Sequence, residues 1–125
     1  MPYSLTVEPK TNYLRVSVQG TNTPENVMNY LAEVRAKCLE LNFTSVLIEE
    51  NLQGPGLNIV DIFEVVNKAS TRTYSLPLHI AYIDVNPDHE KRRMDFAESV
   101  AVNRGVDVKI FSSIAEAEKW LTALR

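Results

Sequence analysis

The strongest constraint on this chain is the order in which two residue periodicities follow one another. Tyr3 to Glu8 and Tyr13 to Gln19 are strand-like; in the second, Leu14, Val16 and Val18 alternate with Arg15, Ser17 and Gln19. Pro9-Lys10-Thr11-Asn12 between them is turn chemistry and predicts an antiparallel hairpin. Thr23-Pro24-Glu25 then supplies a cap, a first-turn proline and an acid for the helix dipole. Val27, Tyr30, Leu31, Val34, Cys38 and Leu41 follow at helical spacing. Short strand-like runs recur at Ser45 to Glu49, Leu78 to Ile83 and Val106 to Phe111. Helical patterns separate and follow them: one with Ile59, Ile62, Phe63 and Val66 on a single face, one from Asn86-Pro87 to Gly105, and one opened by the capping box Ser113-Ile114-Ala115-Glu116. The order β-β-α-β-α-β-α-β-α predicts an α/β fold: a mostly parallel sheet, helices packed on it, and one antiparallel edge strand at the N-terminus.

Length and charge narrow the function classes. A chain of 125 residues is expected to form one domain, 1–125, with a core large enough to need neither disulfide nor metal. A formal charge of −3 argues against nucleic-acid binding, which needs a concentrated positive field. Cys38 is the one cysteine, so no internal disulfide forms, which fits a reducing compartment. The start MPYSLTVEPK has no basic segment followed by an apolar run, and no run approaches the roughly 20 apolar residues of a membrane span. The expectation is a soluble, cytoplasmic protein.

Glu50 to Leu57 is read as a loop at the carboxyl end of a central strand, where parallel α/β sheets bind ligands. The chemistry argues against a phosphate loop. No lysine followed by Ser or Thr comes after Gly56, Pro55 lacks the backbone donor a phosphate cradle uses, and Glu49 and Glu50 repel a polyphosphate. The stretch reads instead as a helix entrance. Asn58 caps, Asp61 answers it three positions on, and Leu57 and Ile62 occupy the staple positions.

The ending Phe111-Ser112-Ser113-Ile114-Ala115-Glu116-Ala117-Glu118-Lys119-Trp120-Leu121 resembles the F-x-x-x-x-E-A-x-x-W-L ending of the SpoIIAA-like proteins, relatives of the anti-sigma-factor-antagonist (STAS) fold. The resemblance covers nearly the whole chain in pattern and this motif in residues. It implies a STAS-like domain that acts as a binding or interaction module. In STAS regulators, the loop after the central strand carries a Ser or Thr that a partner kinase phosphorylates, typically within Asp-Ser-x-Gly-Leu. The matching stretch here is Gln53-Gly54-Pro55-Gly56-Leu57, and no Ser or Thr lies between Ser45 and Ser70. The resemblance therefore implies the loop without its phosphorylatable hydroxyl.

Other reactive side chains read as structural. Cys38 lies on an apolar helix stripe, where a thiol is inert packing. His79 is expected as a hydrogen-bonded core or edge histidine, and His89 as solvated; two histidines without Cys partners do not make a zinc site. His89, Lys91, Arg92 and Arg93 read as a solvated helix face. No cofactor or metal is expected. The main reading is a non-enzymatic module that binds a protein partner or an apolar small molecule through Gln53, Gly54, Pro55, Gly56, Leu57 and Asn58, with self-association through apolar helix faces as a variant. The alternative is a small metal-assisted enzyme using Glu49, Glu50 and Asp84, three carboxylates near strand ends.

Overall fold

Alternation along the strands fixes which side of the sheet each residue serves. The computed structural model describes residues 3–54, 58, 60–65, 68, 78–86 and 91–123. Its elements are β1 (Tyr3–Pro9), β2 (Leu14–Thr21), α1 (Pro24–Leu41), β3 (Ser45–Gln53), α2 (residues 60–65), β4 (His79–Asp84), α3 (Lys91–Asn103), β5 (Asp107–Ile110) and α4 (Ile114–Ala123). The five strands form one sheet in the order β1-β2-β3-β4-β5, antiparallel between β1 and β2 and parallel elsewhere.

Leu14, Val16 and Val18 of β2 align with Val46 and Ile48 of β3 and Ile80 of β4 on one face. Val27, Tyr30, Val34 and Cys38 of α1 and Val65 of α2 close over that row to make the larger core cluster. On the other face Tyr13, Leu47, Ala81 and Ile83 receive Ala117 and Leu121 of α4, with Trp120, Phe111 and Ile114 at the margin. Strand β3 is buried on both faces over Ser45 to Ile48, as a central parallel strand must be.

Local chemistry sets the helix ends. Thr23 is extended, and its Oγ1 accepts from Asn26 N at 3.1 Å, with Pro24 in the first turn. At the other end Asn42 adopts the left-handed conformation (φ 64°). Its N–H donates to the carbonyls of Cys38 and Leu39, and Phe43 N also reaches Cys38 O. The capping box predicted for α4 forms, with Glu116 N donating to Ser113 Oγ and Ser113 Oγ donating to Glu116 Oε1, both at 3.2 Å.

Two sequence expectations need correction. The third strand runs to Gln53 rather than ending at Glu49, so Glu50 to Gln53 belong to the sheet and not to a loop. Ladder pairs to β2 continue through Thr21↔Gln53 and override the charged Glu49-Glu50 pair that suggested a strand end. In α2, Ile62 and Val65 face the core, whereas Phe63 points outward and is 45% exposed. Ile59 and Val66 lie outside the described residues.

Candidate functional site

Parallel strands bring their carboxyl ends to one rim, and the chain between β3 and α2 leaves from it. The rim is tied together by main-chain and amide bonds. Asn22 N donates to Gln53 O (2.8 Å), Val85 N to Glu50 O (2.9 Å), and buried Asn86 reaches Leu52 O through Nδ2 (2.7 Å). Asn26, also buried, donates from Nδ2 to Thr21 O at 2.8 Å. Each amide satisfies a carbonyl that a strand end would otherwise leave open.

Of the residues expected to form a contact surface, Gln53, Gly54 and Asn58 are exposed at this rim. Gly54 has φ +104°, a conformation that disfavours any side chain, and an added Cβ would meet nothing. Asn58 accepts Asp61 N at 2.8 Å through Oδ1 and caps α2 as its sequence predicts. Pro55, Gly56 and Leu57 lie outside the described residues, and the staple pairing of Leu57 with them. Beside the cap, Val60 is 64% exposed, and the Phe63 ring carries the Arg104 guanidinium 4.8 Å from its centroid.

The alternative three-carboxylate site does not assemble, because side chains alternate along a strand. Glu49 faces the α4 side of the sheet, where it accepts Arg15 Nη2 at 3.2 Å and Ser17 Oγ at 3.4 Å. Glu50, the next residue, faces α1 on the opposite side. Asp84 accepts the main-chain N–H of Asn86 at 3.0 Å. Among the described residues no group of three His, Cys, Asp or Glu side chains converges.

Glu50 instead anchors a buried network that its sequence position did not announce. It is 4% exposed, and its Oε2 accepts from the hydroxyls of Tyr30 (α1) and Tyr82 (β4), which lie 2.9 Å from each other. Three contacts share two hydroxyl hydrogens, so two of the three carry a hydrogen at any moment. Burial is the first cause, and the adjacent Glu50 charge the second, that holds both phenols well above the ordinary tyrosine pKa. The signal for this network was present: Val46, Ile48, Glu50 and Leu52 are one continued alternation, which puts Glu50 in a core row.

The remaining candidates are structural. Burial pushes the Cys38 thiol up to about 11, away from the reactive thiolate. His79 contacts Asp107 Oδ2 through Nδ1 at 2.6 Å and stacks on Trp120 with ring centroids 3.8 Å apart. Ser45, His79 and Asp107 share a register row across three strands. His79 Nε2 nevertheless has no hydrogen-bond partner among the described residues, so it does not activate Ser45. Lys91 and Arg92 are exposed, as a solvated face predicts, whereas Arg93 is half-buried and His89 lies outside the described residues.

An antiparallel hairpin feeding a parallel sheet, with helices on both faces and a glycine-bearing connection leaving the central strand, defines an α/β domain of the STAS, or SpoIIAA-like, fold. The structure is similar to that of a STAS-domain protein, a serine-to-glutamate variant of RsbS from Moorella thermoacetica. The two align with a TM-score of 0.57 over 96% of each chain, at 13% sequence identity. At that identity the likeness is one of fold. No protein-family model matches the sequence, and no curated protein matches it. Among the described residues no helix is long and apolar enough to cross a membrane.

Proposed function

We propose that this chain is a non-enzymatic interaction module whose contact surface is the rim segment Gln53, Gly54, Pro55, Gly56, Leu57 and Asn58, continued by the outward side chains of α2. The exposure of Val60 and Phe63 directly after the Asn58 cap carries this reading. Two apolar side chains one helical turn apart, beside the exposed Asn58 cap and a cationic group at Arg104, supply an apolar anchor with a polar margin. The fold likeness to a STAS-domain protein supports the same class of role. The connection has no hydroxyl from residue 46 to residue 69, so binding is not controlled by phosphorylation there. The occupant is a protein partner or an apolar small molecule, encountered in the cytoplasm.

Native mass spectrometry of the purified protein, repeated under denaturing conditions, separates the two occupants. A mass increment that denaturation releases identifies a small molecule. A bare chain directs the test to partners, by placing a photo-crosslinking residue at Val60 and, as a control, at Lys119 on α4. Capture of one defined protein at position 60, absent at 119 and lost with Phe63→Asp, is the expected result. No increment, together with no crosslink that depends on position 60, overturns the assignment.

A further inference from the structure

Strand β1 forms one edge of the five-stranded sheet and pairs on one side only, with β2. Lys10 N donates to Tyr13 O at 2.9 Å, which fixes the phase of the β1–β2 ladder. Bonded pairs then recur every second residue, at Glu8↔Arg15, Thr6↔Ser17 and Ser4↔Gln19. The main-chain groups of Tyr3, Leu5, Val7 and Pro9 therefore point away from β2. Pro9, with no N–H to offer, falls in this outward row, where a sheet tolerates proline. Among the described residues nothing pairs with this row, since β1 ends the strand order.

Exposed edges are ordinarily blunted by a charge, a bulge or a proline within the strand. From Tyr3 to Val7 this edge has none of these. Its register to β2 is unbroken, and the residues Tyr-Ser-Leu-Thr-Val suit a strand. Glu8 and Pro9 come only at its end.

We propose that two copies of this chain join β1 to β1 in antiparallel fashion, centred on Leu5, to form one ten-stranded sheet. That register makes three bonded pairs, Tyr3 with the second copy's Val7, Leu5 with Leu5, and Val7 with Tyr3, with two hydrogen bonds in each. It uses every outward N–H from Tyr3 to Val7 and leaves Pro9 out. Tyr3, Leu5 and Val7 already lie against the α1-side core, so aromatic and aliphatic side chains meet across the join on the face where β1 is half-buried. On the other face the exposed Ser4 of each copy stands opposite Thr6 of the second. Charge selects the same register. Glu8 is the only charge in β1, and centring on Leu5 puts the two copies of it at opposite ends, whereas a slip centred on Glu8 sets them face to face. Antiparallel joining also turns the two carboxyl-end rims in opposite directions, so one dimer presents two separated contact surfaces.

The test is sedimentation equilibrium combined with amide hydrogen exchange on the full chain. The parent protein is expected to sediment at twice its 14.1 kDa mass, with the Leu5 amide protected. Ser4→Lys/Thr6→Lys opposes lysines across the join and is expected to halve the mass and free the Leu5 amide. The Thr6 amide, bonded to β2, stays protected and shows that the hairpin is folded. Ser4→Lys/Thr6→Glu, with opposite charges facing, is expected to restore the dimer. A parent protein that stays monomeric at high concentration overturns the proposal. So does a dimer that Ser4→Lys/Thr6→Lys leaves intact, or one in which the Leu5 amide exchanges freely.

Discussion

At the scale of single residues, the network of Tyr30, Tyr82 and Glu50 is the most demanding feature of the molecule. A carboxylate removed from water is costly unless hydrogen bonds replace its hydration. Two phenols from different elements meet this need, and in doing so they tie α1 and β4 to β3. Losing one hydrogen bond to a charged acceptor costs about 1.5–3 kcal/mol. Tyr30→Phe and Tyr82→Phe are each expected to destabilise the fold by about that amount in urea denaturation. The double substitution is expected to cost more than the two together, because the first leaves Glu50 one tyrosine and the second removes the other. Groups sharing one network commonly show coupling of about 0.5–3 kcal/mol. Effects that merely add would show that the tyrosines act independently and that the shared carboxylate is not the point of coupling.

At the scale of elements, most boundaries were legible where a side chain sets the end, and illegible where the ladder does. Thr23, Asn58 and Ser113 each cap the helix that their position suggested. The end of β3 was misplaced because two adjacent glutamates resemble a strand terminus. One of them is paired with Arg15 on one face and the other is buried on the opposite face, so both are compatible with a strand. Phe63 was misassigned because an apolar helix stripe can include adjacent residues, so periodicity placed Ile62 and Phe63 on one face, whereas the structure buries Ile62 and leaves Phe63 exposed. Leu41, included in the α1 stripe, is likewise among the exposed apolar residues. The turn after it depends on Asn42, whose positive φ is unfavourable for a side chain with an ordinary Cβ. Asn42→Gly is expected to hold or raise the thermal midpoint, and Asn42→Val to lower it through a loss of about 1–2 kcal/mol. Equal midpoints for the two variants would mean that the left-handed turn is not retained in solution.

At the scale of the whole molecule, a mostly parallel sheet with an antiparallel N-terminal edge followed from the sequence, but the unequal weight of the two faces did not. The sequence shows four apolar helix faces without showing that α1 and α2 share one side of the sheet. Buried side chains from β2, β3, β4, α1 and α2 make a continuous core there, including fully buried Tyr30, Leu14 and Ile48. On the opposite side, among the described residues, α4 buries Ala117 and Leu121, with Trp120 at the margin against His79 and Phe111. Apolar burial stabilises at about 25 cal/mol per Å², so the helix that removes less apolar surface from water is held less strongly. Helix α4 should therefore open without the rest of the domain unfolding. Native-state amide exchange at low denaturant is expected to show α4 amides exchanging at a free energy below that of the Val16, Val18, Val46 and Ile48 amides. Trp120→Ala should widen this gap, because it removes the ring that spans His79 and Phe111 while leaving the α1-side core untouched. Exchange of α4 and β3 amides at one common free energy would show that the two faces unfold as a single unit, with the small contact under α4 as firmly held as the large one under α1.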